Sequence, residues 1–223
     1  LFTLFASFLP MVQVTEALSI VGRANIELSG NPGGGLSEIR SVSPVETRYD
    51  LVVILVDEDT WGSSSSGSGF FSYLGVTSLA EKIQTYAQDV QATLPWTKSL
   101  IVTVSPDDST VDLQRYLEKL YFEGDETDSD PTQLAGVVTV GSVPLPVVNK
   151  NGYRFVSLLP YTDFEEPSYI VDEITQDFVP NVAALDLQAE VWHGVIAPPL
   201  DGQEGIDLLA AFFDKNHSFH SGD

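Results

Sequence analysis

The run from Leu51 to Val56 (LVVILV) constrains this chain more than any other stretch. Every position is apolar, most are β-branched, and Asp57 closes the run. A strand with no polar face has no side to turn to water, so it belongs inside a sheet covered on both faces, the usual setting of parallel strands. Comparable runs follow at Leu100 to Val104, Gly136 to Val140 and Glu190 to Ile196.

Between these runs the apolar spacing changes to three and four, the period of a helix with one buried stripe. Ser78 to Leu94 carries Leu79, Ile83, Tyr86, Ala87 and Val90, with Ser78 and Glu81 as a capping box and Pro95 just past the end. Val111 to Phe122 carries Leu113, Tyr116, Leu117 and Leu120 and stops at Gly124. A last helix, Ile206 to about Phe219, leans on Leu208, Leu209, Phe212 and Phe213. Strands alternating with helices imply right-handed crossovers. The expected fold is therefore α/β: a mainly parallel sheet of about four strands with helices on both faces, preceded by an N-terminal extension.

The composition agrees, since 43% hydrophobic and 19% charged residues in a chain of 223 are globular values. Residues 49–223 form the expected domain. Residues 18–48, with Asn31-Pro32-Gly33-Gly34-Gly35, read as a linker or small β extension. Residues 1–17 set an apolar stretch before Thr15-Glu16-Ala17, a small-x-small pattern that signal peptidase could cut after Ala17. They read as an export-signal remnant, with a buried or amphipathic first helix as the alternative. The stretch is too short for a stable membrane span. Neither Met nor a basic segment precedes it, so the chain is expected to begin inside its reading frame. The expected location is secreted or cell-surface.

A formal net charge of −22, from 32 acidic and 10 basic residues, repels a phosphate backbone. Nucleic acid and anionic membranes are thereby poor partners. Cations and basic partners suit the charge better, although solubility alone accounts for an acidic surface. The absence of cysteine removes disulfides, thiolate metal sites and a thiol nucleophile.

Ligands of open α/β sheets bind beyond the carboxyl ends of the strands. Asp57-Glu58-Asp59, Ser105 to Asp108 and Gly141-Ser142 occupy three such ends. Asp57, Asp59, Asp107 and Asp108 are candidate oxygen ligands for a hard divalent cation such as Ca2+. Charges at strand ends also simply meet water, and both readings stand. Asp57-x-Asp59 after an apolar strand resembles the start of haloacid-dehalogenase-type phosphatases, an Asp nucleophile followed by an Asp acid/base. Trp61, however, stands where that family wants Thr or Val, and no later Gly-Asp pair completes the pattern. The Gly62 to Gly69 loop lacks a Gly-Lys-Ser/Thr ending, and Asp125, Asp128 and Asp130 lack the Gly and Glu of a calcium loop. His193 sits in a strand, and His217 and His220 near a helix end suit its dipole; no GxSxG elbow is present.

One block carries a resemblance. VVTVGSVPLP, LPYTDFEE and AEVWHGVI, followed by a Leu/Phe-rich helix, resemble the non-catalytic half of gingipain-type cysteine peptidases, with a caspase-like fold. That family reads apolar strand, Val-Gly-Asp, Ile-Pro, Ser-Asp-x-x-Tyr, strand ending Gly-Arg, helix. Gly141-Ser142 replaces its Gly-Asp, Tyr161-Thr162-Asp163 echoes its Ser-Asp-x-x-Tyr, and Val195-Ile196 stand where Arg is expected. The block is also similar to segments of large predicted-surface proteins from uncultured bacteria. The resemblance implies a supporting subdomain of an exported protein, without catalytic residues of its own and pairing with a downstream catalytic subdomain of the same polypeptide. Pro144 and Pro146 would stiffen the exit of the third strand, and Tyr161, Asp163 and Glu165 would line a rim open to cations or partners. The alternatives are a non-enzymatic surface or binding module and a metal-dependent phosphatase using Asp57 and Asp59.

Overall fold

A computed structural model describes residues 49–65, 78–94, 96–125, 132–172, 174–184 and 188–222. The expectations for residues 1–17 and 18–48, for most of the Gly/Ser loop and for the acidic loop after Asp125 lie outside the described residues. The chain divides into two units, Leu1–Thr47 and Arg48–Asp223. All described residues belong to the second.

Its centre is strand β1 (Tyr49–Asp57), flanked by β2 (Thr97–Val104) and β3 (Thr132–Val140), with β8 (Trp192–Ile196) outside β3. The order is β2-β1-β3-β8 and every pairing is parallel. The fold is α/β, as the alternation of apolar runs predicts. Because successive side chains of a strand point to opposite faces, β1 feeds two cores at once. Leu51, Val53 and Leu55 pack with Leu113, Leu117 and Leu120 of helix α3 (Thr110–Phe122). Val52, Ile54 and Val56 pack with Leu79, Ile83 and Ala87 of helix α2 (Leu79–Thr93) and with Leu209, Ala210 and Phe213 of helix α4 (Gly202–Ser221). None of the six β1 residues from Leu51 to Val56 exceeds 2% exposure, and each such buried aliphatic contributes about 1.5–3 kcal/mol relative to exposure.

The capping box expected at the start of α2 is present: the Ser78 hydroxyl accepts from the Glu81 N–H and the Ser78 N–H donates to the Glu81 carboxylate. Several boundaries shift, among them that of the third strand, expected from Gly136 and starting at Thr132. The strand expected from Leu100 starts at Thr97. The last helix starts at Gly202 rather than Ile206, because Gly202 to Gly205 carries no apolar period to mark it. The last strand starts at Trp192 rather than Glu190, whose carboxylate instead accepts the Phe164 N–H at 2.7 Å.

Between β3 and β8 the chain builds a second small sheet that the sequence patterning did not predict. Its strands are β4 (Val147–Lys150), β5 (Tyr153–Val156), β6 (Tyr169–Val171) and β7 (Phe178–Pro180), in the order β5-β4-β7-β6. Strands of three or four residues are too short to show an alternation. Val148 and Phe178 pack with Val111 at the start of α3, which seats this sheet on the domain. Among the described residues no helix is long and apolar enough to cross a membrane.

Candidate functional site

The strand order reverses between β1 and β3, so the carboxyl ends of these two strands frame the crevice where open α/β sheets bind ligands. Asp57 closes β1 there, only 5% exposed. It caps a four-residue helix, α1 (Glu58–Trp61): the Thr60 backbone N–H and hydroxyl both donate to Asp57 Oδ2, at 3.1 and 2.6 Å. Gly141, at the end of β3, lies directly against this cap in the left-handed region, φ 80°. A Cβ built there would stand 2.4 Å from Thr60 Oγ1 and 3.1 Å from Asp57 Oδ2. The Gly141 N–H donates to Ile196 O at 2.9 Å and ties β3 to the end of β8. A turn occupies the crevice.

The other rim residues are also engaged locally. The Ser105 hydroxyl donates to Glu58 Oε1 at 3.2 Å, linking the ends of β2 and β1. The Ser105 N–H donates to Asp108 Oδ2 at 2.8 Å, which folds the turn leading to α3. Asp59 and Asp107 are exposed, and the Asp59 carbonyl accepts from the Ser63 hydroxyl. Among the described residues no group of three or more His, Asp or Glu side chains is placed to hold a metal ion.

The Tyr161 to Glu166 turn is built into the structure rather than laid on its surface. Tyr161 is fully buried, its hydroxyl donates to Pro144 O at 2.9 Å, and burial pushes its phenol well above the ordinary tyrosine range. Asp163 is 2% exposed; its Oδ2 accepts from the Ser168 N–H at 2.9 Å and from the Ser168 hydroxyl. Asp163 Oδ1 has no partner among the described residues. Glu165 is exposed and accepts from the Tyr121 hydroxyl at 2.8 Å. Burial, the Glu165 hydrogen bond and the charges of Glu165 and Glu190 push the Tyr121 phenol up to about 12. The Val191 N–H donates to Thr162 O at 3.1 Å, so the turn is stitched to the approach to β8.

His193 pairs in register with Val137 and packs edge-on to Tyr161, ring centroids 6.4 Å apart. Both ring nitrogens are buried without a partner among the described residues, and burial lowers the imidazole to about 4. It is neutral near pH 7. His217 and His220 face α2 instead of acting on the helix end alone. His217 Nδ1 lies 3.0 Å from Asp89 Oδ2, and His220 Nδ1 lies 3.2 Å from Thr93 Oγ1. Asp214 pairs with Lys82 on the same seam. The spacing of three among Asp214, His217 and His220 was the available signal, but only the fold supplies their partners.

No family model matches the chain, and neither a curated protein nor a solved structure matches it.

Proposed function

We propose that this chain is a supporting α/β subdomain of an exported gingipain-like protein, holding loops and a partner subdomain in place rather than performing chemistry itself. The observation that carries the reading is Asp57. Its carboxylate is buried at the strand switch, its Oδ2 accepts from both donors of Thr60, and Gly141 lies against it. The burial of Tyr161 and Asp163 supports the same role, since the turn that resembles the peptidase block acts as an internal fastening. With no cysteine in the chain, a thiol nucleophile would come from a downstream catalytic subdomain of the same polypeptide.

The competing metal-dependent phosphatase would need the Asp57 carboxylate free to attack phosphorus. Incubating the purified chain with magnesium and a generic phosphomonoester separates the two. No turnover is expected. Hydrolysis that disappears on Asp57→Asn would overturn the supporting role. Independently, the gene downstream is expected to encode one strand ending in His-Gly and another ending in Cys; a downstream region with neither would remove the peptidase partner.

A further inference from the structure

We infer that Asn151 is a site of spontaneous covalent modification, converted to aspartate and isoaspartate through a succinimide at a rate set by the β4–β5 hairpin. Asn151-Gly152 is the only Asn-Gly pair in the sequence. The reaction needs a side-chain amide followed by an unshielded backbone nitrogen, and glycine, lacking a Cβ, leaves that nitrogen most open. Both residues are exposed, and a Cβ built on Gly152 would meet no atom within 4 Å. Water is the co-reactant. The Gly152 nitrogen attacks Asn151 Cγ and forms the N–Cγ bond of a five-membered imide, while ammonia leaves with the proton lost from that nitrogen. Water then opens the imide at either carbonyl. Cleavage of the new bond leaves aspartate; cleavage of the old peptide bond leaves isoaspartate, with the main chain rerouted through Cβ and Cγ.

The closed hairpin opposes this ring closure in two ways. Asn151 and Gly152, with φ of 55° and 83°, form the loop between Lys150 and Tyr153, which pair across β4 and β5. Positive φ at both residues of a two-residue loop marks a type I′ turn, in which ψ of the first is about +30°. For an L residue that ψ sets the following nitrogen nearly anti to Cβ about the Cα–C bond, far from Cγ, whereas ring closure needs the two nearly eclipsed. The Gly152 N–H is also engaged, donating to Asn149 Oδ1 at 3.0 Å. Asn149 Nδ2 in turn donates to Asp177 Oδ2 at 3.4 Å, and Arg154 Nη2 donates to Asp177 Oδ1 at 2.9 Å. One carboxylate thus fastens both strands of the hairpin.

The hairpin opens without the core. β5 is the edge of the small sheet and all four of its residues are exposed, whereas β4 is anchored by Val148, fully buried with Phe178 and Val111. Local opening of such a segment costs far less than unfolding the domain. The reaction therefore proceeds in the folded protein, slowed by the fraction of time the hairpin is closed. The isoaspartyl product does not return to the starting arrangement, because its main chain carries one more atom in the turn and the turn fixes the register of a hairpin. Modification at Asn151 is a one-way release of β5.

The purified full chain, held in mildly alkaline buffer and sampled over weeks, tests this by mass spectrometry of the peptide containing Asn151, where OH replaces NH2; fragmentation separates the two products. Modification is expected in the folded chain, about tenfold or more slower than in the same chain in concentrated urea. Asn149→Ala and Arg154→Ala, which loosen the closed turn, are expected to speed the folded reaction severalfold and leave the rate in urea unchanged. In the isolated isoaspartyl form the β5 amides should exchange hydrogen faster than in the unmodified chain, with β1 unaffected. An Asn151 that stays intact in the folded chain would overturn the site. Equal rates folded and in urea, or variants no faster than wild type, would overturn the control by the hairpin, and unchanged β5 exchange would overturn the release.

Discussion

Asp57 Oδ2 receives both donors of Thr60, the backbone N–H at 3.1 Å and the hydroxyl at 2.6 Å. Both residues are buried, so neither has water to fall back on. Losing one partner of a buried polar pair leaves the other desolvated, at a cost of about 1–3 kcal/mol. Thr60→Val keeps shape and removes the hydroxyl, and is expected to lower unfolding free energy by that amount in urea titration. A change below the scatter of the titration would show that the hydroxyl bond does not matter to the fold.

Gly141 lies beside that cap with φ 80° and no room for a side chain. Gly141→Ala would set a Cβ 2.4 Å from Thr60 Oγ1 in a conformation L residues rarely adopt. Strain and displacement together predict a loss of about 2 kcal/mol or more, seen as a lower melting temperature. An unchanged melting temperature would mean the α1 turn yields freely.

Gly136 is needed for a different reason, the indole of Trp192 lying where its Cβ would go. Gly136→Ala is expected to destabilise by about 1–3 kcal/mol through overpacking. Trp192→Ala, which vacates the space, should recover most of that loss in the double variant. A double-mutant cycle with no coupling between the two positions would contradict the contact.

His193 should make the fold sensitive to acid. Its folded value is lowered by burial to about 4, against an ordinary 6.5. The unfolded chain then binds the proton first as pH falls. The stability conferred by the neutral imidazole is complete above about 6.5 and is lost between there and about 4, to an extent of about 3 kcal/mol. His193→Leu should flatten this part of the stability profile relative to wild type when urea titrations are compared at pH 7 and 4.5. Parallel profiles would assign the acid loss to other groups.

The large sheet was legible because each of its strands contains a run of apolar residues, unbroken from Leu51 to Val56 in β1, and the helices carry a clear stripe with caps. The small sheet was not, since Val147–Lys150 and Phe178–Pro180 are shorter than any period they could display. The candidate site was half legible. That Asp57 ends a strand followed from the apolar run before it, whereas its engagement by Thr60 depends on the chain turning into α1 rather than running on. Tyr161 and Asp163 were expected at an open rim, and the loop that carries them packs inward through Pro144 and Ser168.

Alternation of apolar runs and amphipathic stripes determined the α/β class, because burying those faces leaves few arrangements open to a chain. The absence of cysteine determined that no thiol chemistry resides in these residues. Which side chains meet was decided by the tertiary structure alone: Gly141 against Thr60, Trp192 over Gly136 and His217 beside Asp89 are far apart in sequence or dictated by register. Local periodicity specifies that a face is buried, and only the pairing of strands and the handedness of their crossovers specify against what.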